Sequence, residues 1–163
     1  MNVSEAIRSK RAVRRYTDQA VPEERIRLIL DAGRHAQSSM NQQPWTFLVV
    51  RDRERLKELS KCGTYAGPLA EAAFGIALVS ADEWSFDMGQ AAAYLQLAAW
   101  ELGVGSCLVW LGESEKARDL LGVPAGKFLD MSIAFGYPAE APDGKPKHGG
   151  RKPFDEVVRW ERW

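Results

Sequence analysis

Cysteine is scarce in this sequence, with only Cys62 and Cys107 in 163 residues. Two cysteines make no disulfide framework, and neither has a second Cys or a His at metal-ligand spacing. Histidine is equally scarce. His35 and His148 stand far apart, so neither a zinc pair nor a nucleophile–base–acid set can be assembled around them from spacing. Long apolar runs are missing too, none approaching the roughly 20 residues that span a bilayer. The opening Met1-Asn2-Val3-Ser4-Glu5-Ala6 lacks the apolar core of a signal peptide. These absences favour a cytoplasmic protein with no membrane partner. Net charge is absent as well. Lys+Arg and Asp+Glu balance at 22 each, so no global charge argues for nucleic acid. Gly103-Val104-Gly105 follows a helical pattern instead of a strand and lacks the third glycine of the dinucleotide fingerprint, which excludes a Rossmann reading.

The patterning that is present describes one domain with a real core. A short helix is expected over Val3–Ser9, with Ser4 as a cap. Pro22, Glu23 and Glu24 open a second helix, whose Ile26, Ile29, Leu30 and Gly33 share a face. Gly33 leaves room there for a close neighbour. Thr46–Val50, Ala73–Ser80, Ser106–Trp110 and Met131–Phe135 read as buried strands, and Asp52–Leu59, Leu69–Ala72 and Glu113–Leu121 as helices between them. The strongest helix is Asp87–Leu102, rich in Ala and Leu and apolar on more than one side, which places it centrally. Asp87 near its start suits an N-cap or first-turn role, and Glu101 near its end suits solvent or a subunit boundary. The order is that of an α+β or α/β domain with a small sheet. The tail, Ala139–Trp163, keeps Phe154, Trp160 and Trp163 after a Pro- and Gly-rich loop. It reads as an arm over a second subunit or as one tucked against its own domain.

Two stretches carry candidate chemistry. From Arg8 to Arg15 there are five basic residues and no acidic one. Lys10, Arg11 and Arg14 suit phosphate, since arginine offers a rigid fork and lysine a compact charge. On a helical turn, Arg14 would share a side with Lys10 or Arg11; a solvated basic turn is the competing reading. Arg151-Lys152 forms a second basic pair. Ala36-Gln37-Ser38-Ser39-Met40-Asn41-Gln42-Gln43-Pro44-Trp45 packs hydroxyls, amides and an aromatic into ten residues. Asn41 and Gln43 both donate and accept, which suits the edge of a heterocycle or a polyol chain. Trp45 reads as a structural anchor, Cys107 as an inert core thiol, and Cys62 as the more exposed of the two cysteines.

These residues resemble a known family. Ser9-Lys10-Arg11-Ala12-Val13-Arg14-Arg15-Tyr16 is similar to the Arg-Arg-Ser-Val-Arg-x-Phe/Tyr signature of the flavin-dependent nitroreductases. Ala36–Trp45 is similar to their Pro-Ser-x-x-Asn-x-Gln-Pro-Trp segment. Leu102-Gly103-Val104-Gly105-Ser106-Cys107, Leu121-Gly122-Val123-Pro124, Phe135-Gly136-Tyr137-Pro138 and Arg151-Lys152-Pro153 extend the resemblance along nearly the whole chain. Two departures stand out: Ala12 replaces the usual serine, and Gln37 the usual proline.

The resemblance implies an α+β fold with a small mixed or antiparallel sheet flanked by helices. It implies an intertwined homodimer with FMN at the interface, the arm 139–163 contacting the partner subunit. Lys10, Arg11 and Arg14 would grip the phosphate and ribityl end, Ser38, Asn41 and Gln43 would line the flavin or its approach, and Arg151 and Lys152 would complete the phosphate site. NADH or NADPH would reduce the flavin, and a nitroaromatic, quinone or similar small molecule would reoxidise it in a ping-pong cycle. No side chain need be a catalytic acid, and backbone N–H groups around Gln43 to Thr46 would tune the ring. Dehalogenation, flavin fragmentation, ene-type reduction and a non-enzymatic flavin-binding dimer are the alternatives. The chain is short for the family and leaves little room for helices that cover the substrate.

Overall fold

Runs of β-branched and aromatic residues between turn formers become four strands, and the amphipathic stretches between them become helices. The computed structural model describes residues 1–81, 86–141 and 150–163. Its elements in chain order are α1 (Val3–Ser9), α2 (Glu23–Arg34), a 3₁₀ turn (Ser39–Asn41), β1 (Trp45–Val50), α3 (Arg53–Ser60), α4 (Pro68–Glu71) and β2 (Phe74–Ser80). They continue as α5 (Phe86–Glu101), β3 (Gly105–Trp110), α6 (Ser114–Leu121), β4 (Phe128–Gly136) and α7 (Phe154–Val157). The sheet order is β1-β2-β4-β3, and every neighbouring pair is antiparallel.

Helices cover both faces of the sheet. On one face α2 and the long α5 bury Ile26, Ile29, Leu95 and Ala99 against Phe74, Ile76, Ile133 and Phe135. On the other, α3, α4 and α6 bury Leu56, Leu59, Leu69 and Ala117 against Ala77, Val109 and Ala134. The fit between α2 and α5 depends on Gly33. A Cβ there would lie 2.5 Å from Leu95 Cδ2, so only hydrogen lets the two helices meet this closely. Phe74 and Phe135 stack between strands with ring centroids 4.8 Å apart. Among the described residues no helix is long and apolar enough to cross a membrane.

Several expectations change. The cap of α1 is Asn2, not Ser4: its side chain accepts from Glu5 N at 3.0 Å while the Glu5 carboxylate accepts from Asn2 N at 3.1 Å. The basic segment is extended, because α1 stops at Ser9 and Ala12 pairs with Ser106 of β3 in a parallel bridge. The helical side shared by Lys10, Arg11 and Arg14 therefore does not exist. Cys62 is fully buried instead of exposed, packed under α3 and α6. β3 is not buried throughout, since Leu108 and Trp110 are open to solvent. His148 lies outside the described residues.

Candidate functional site

The basic segment is seated on two glycines. Gly105 and Gly136 face each other across the β3–β4 ladder. A Cβ on Gly105 would come within 2.7 Å of Val13 Cβ, and one on Gly136 within 2.8 Å of Tyr16 Cδ1. Their missing side chains let residues 12–16 lie flat on the end of the sheet. Val13 N donates to Ser106 O at 2.9 Å. The Tyr16 hydroxyl donates to Val13 O at 2.6 Å and lies 3.2 Å from Ala134 O. Burial pushes the Tyr16 phenol above its ordinary range, so this lock stays protonated.

The lock sets the cations. Lys10 Nζ donates to Gln96 Oε1 of α5 at 2.6 Å, and the same oxygen lies 3.5 Å from Ser106 Oγ. Burial holds the Lys10 ammonium below its usual range; Cys107 opposes that, and the neighbouring Arg14 charge adds to it. Cys107, buried on β3, has its thiol pushed up by burial and pulled back by Arg14 and Lys10. Lys10 and Arg14 therefore converge at this end of β3. Among the described residues neither has a carboxylate partner. Arg11 turns back on its own chain, donating Nη1 to Arg8 O at 2.7 Å and Lys10 O at 3.0 Å.

Gln96 also lines an apolar cavity of about 190 Å³ between α5 and the sheet. Met88, Ala92, Leu108, Trp110, Phe128 and Met131 supply most of its wall. Ser106 and Trp110 are four residues apart on one face of β3, about 13 Å at the usual strand rise. The cavity runs from the cationic end at Gln96 toward the aromatic end at Trp110. An anion at one end and a flat ring along the wall are what this arrangement can hold.

The polar stretch docks elsewhere on the same helix. Ser39 N donates to the Asp87 carboxylate at 3.0 Å, and Gln37 Nε2 to Gln90 Oε1 at 2.8 Å. Asp87 thus anchors a loop, a role beyond the helix-start one its position suggested. Gln43 N donates to Ser38 Oγ at 2.9 Å and Gln43 Nε2 to Asn41 Oδ1 at 3.1 Å. These bonds hold Met40, Asn41 and Gln43 at φ of 50°, 54° and 49°. Three non-glycine residues in the left-handed region within four positions store strain of the kind found at ligand sites. The expected N–H donors near Gln43 are partly occupied, because Trp45 N donates to Gln43 O at 2.8 Å as well. Trp45 stacks on Phe47 at 6.3 Å and packs on the core, as an anchor does.

Ser38, Asn41 and Gln43 are thus brought together, and so are Lys10 and Arg14, but the two groups grip different turns of α5. Asp87 and Gln96 are nine residues apart, about 13 Å along the axis. Arg151 and Lys152 are exposed and make no hydrogen bond or ion pair among the described residues. No cluster of metal-ligating side chains occurs among the described residues.

The sequence matches the nitroreductase family over residues 7–73 and 61–137. The chain belongs to the nitroreductase family. A protein of Methanothermobacter thermautotrophicus, provisionally named NADH dehydrogenase/NAD(P)H nitroreductase, is 35% identical over all of this chain and 88% of its own length. An Archaeoglobus fulgidus protein with the same provisional name is 38% identical over 84% of this chain and 86% of its own. In structure, the chain is similar to an FMN-dependent nitroreductase from Clostridium difficile R20291 with a TM-score of 0.88 and 28% identity, covering 99% of this chain and 100% of that one. The α+β nitroreductase fold, with a small antiparallel sheet flanked by helices, is therefore shared along the whole chain.

Within this nitroreductase-family chain, sequence reasoning missed Gln96, Leu108, Trp110 and Asp130, all of which line the cavity. Gln96 looks like any polar residue on a helix, and only its bond to Lys10 marks it. Leu108 and Trp110 alternate with buried Cys107 and Val109, a period-2 signal that two uniformly apolar faces conceal.

Proposed function

We propose that the protein is an FMN-dependent NAD(P)H oxidoreductase that reduces a nitroaromatic, quinone or similar acceptor in a ping-pong cycle. The observation that carries this is Lys10, which bonds Gln96 at one end of an apolar cavity walled by Trp110 and Phe128 and, like its neighbour Arg14, has no carboxylate partner among the described residues. A phosphate and a flat ring joined by a short chain fit that charge and that wall. Bound there, FMN would supply the redox chemistry that links NADH or NADPH to the second substrate. Lys10 and Arg14 hold the phosphate, and the Arg11 donors left over from its two backbone bonds turn to the same anion. Ser38, Asn41 and Gln43 form a rigid polar face toward the ring or its approach. The apolar wall excludes water, which strengthens every charge contact within it.

The same reading makes the protein a cytoplasmic homodimer with FMN at the interface. In support, Val3, Ile7, Leu28 and Tyr94 expose apolar surface along α1, α2 and α5, beside an open hollow of about 570 Å³. The arm also exposes Phe154, Val157, Trp160 and Trp163. A partner subunit would cover both, and the arm would carry Arg151 and Lys152 to the phosphate.

Purified protein tests the reading directly. A yellow preparation bleached by NADH or NADPH without oxygen, then recoloured by a nitroaromatic or quinone, is expected. A colourless protein that takes up no FMN sinks the proposal. Light scattering should give twice the 18.2 kDa chain mass, and a monodisperse monomer removes the dimer.

A further inference from the structure

We propose that Asp130 selects the electron acceptor, favouring planar rings that carry a cationic or N–H-donating substituent. The proposal rests on the flavin reading above for the source of electrons, but its own ground is a β-bulge. Leu78 pairs with Met131 and Ser80 with Phe128, so Val79 alone faces both Leu129 and Asp130. Such a bulge puts one extra residue into a strand and re-aims the side chains beyond it. Leu129 is fully buried in the α3–α6 core, and Ser132 is buried on that same face, where its Oγ donates to Ile76 O at 3.0 Å. The two residues between them, Asp130 and Met131, both fall on the α5 side, where strict alternation would have sent only one. The bulge is what places a carboxylate in the wall of an otherwise apolar cavity.

That carboxylate is unspent. The Asp130 carbonyl accepts from Leu111 N at 2.8 Å, but the side chain has no hydrogen bond or ion pair among the described residues. Trp110 and Phe128 line the same end of the cavity, so a second ring that reaches Asp130 lies beside the flavin ring that this wall would hold. An ionised carboxylate accepts and never donates. A ligand that reaches it must therefore bring a donor or a positive charge, and an anionic ring is repelled. Lys10 lies at the opposite end, bonded to Gln96 beside Ser106, with Arg14 near enough to act on its charge. The cavity is thus polar in a fixed sense, positive where a phosphate would sit and negative where a second ring would enter. A phosphate cannot reverse its direction without meeting Asp130.

Three matched rings test this by binding alone: benzamidine, benzamide and benzoate, titrated by calorimetry into FMN-saturated protein. Affinity should fall in that order, with benzamidine favoured over benzoate by about tenfold, the effect of changing a partly exposed ion pair from attraction to repulsion. In Asp130→Asn the preference should collapse to within about twofold, with flavin fluorescence used to bring both proteins to FMN saturation before the rings are titrated. Asp130→Ser gives the same answer should the asparagine variant fold poorly. Equal affinities in the wild type, no binding of any ring, or a preference that survives in both variants overturns the proposal. Protein that takes up no FMN defeats the flavin reading separately. The comparison with Asp130→Asn still stands in that case, because both proteins share Lys10 and Arg14.

Discussion

Gly105 and Gly136 face each other across β3 and β4, and together they form the seat on which the basic segment rests. Val13 covers one and Tyr16 the other, so the position of Lys10 and Arg14 is set by two missing side chains. Gly105→Ala should lift residues 12–14 from the sheet end. We expect a loss of about 1–3 kcal/mol in urea unfolding, as for overpacked cores. A larger proportional loss of FMN affinity is expected than in a destabilised variant remote from the site. Unchanged FMN affinity would show that the seat does not set the cations.

Lys10 gives a pH signature. Its folded pKa is lowered, chiefly by burial, so it sheds its proton at a lower pH than an unfolded lysine near 10.4 would. Between those two values the unfolded chain binds more protons, so this group's contribution makes stability rise with pH. Its hold on an anion runs the other way and weakens as pH climbs into that window. FMN affinity should therefore fall in the wild type at a pH below that at which an ordinary lysine loses its proton. In Lys10→Arg, whose guanidinium stays charged, the fall should shift to higher pH. Identical profiles would remove Lys10 from the phosphate site.

Tyr16 behaves oppositely. Its phenol is raised above the ordinary value near 10 by burial, so the native protein keeps a proton that the unfolded chain releases. Stability is fully present below that ordinary value and is lost as pH rises above it. Ultraviolet difference titration should find the same number of tyrosines ionising before unfolding in the wild type and in Tyr16→Phe. Tyr16→Phe should cost about 1–3 kcal/mol, because the buried Val13 carbonyl loses its donor. One more tyrosine titrating in the folded wild type than in Tyr16→Phe would contradict the lock.

Gly33 and Leu95 should couple. Gly33→Ala gains helix propensity of about 1 kcal/mol, but its methyl group would press on the fully buried Leu95. Net destabilisation is expected, and in Gly33→Ala/Leu95→Ala the combined loss should fall short of the sum of the single losses. Strict additivity would mean that the two helices simply slide apart.

By itself the sequence determined the order and type of the elements and the tight meeting of helices at Gly33, and it brought forward the basic and amide residues that the proposed flavin site uses. Those are local properties: the period of apolar residues, the backbone limits of glycine and proline, and the chemistry of side chains close together in the chain. Only the tertiary structure decided that Lys10 bonds Gln96, 86 positions away, that Asp87 anchors Ser39, and that Cys62 is buried. The extended form of residues 10–16 belongs to the same class, since it depends on Ser106 and on two glycines distant in sequence. Asp130 is the sharpest case. Alternation along β4 would send it and Met131 to opposite faces, and a one-residue mismatch against β2 sends both toward α5. A bulge is a relation between two strands, so neither strand's sequence carries it alone.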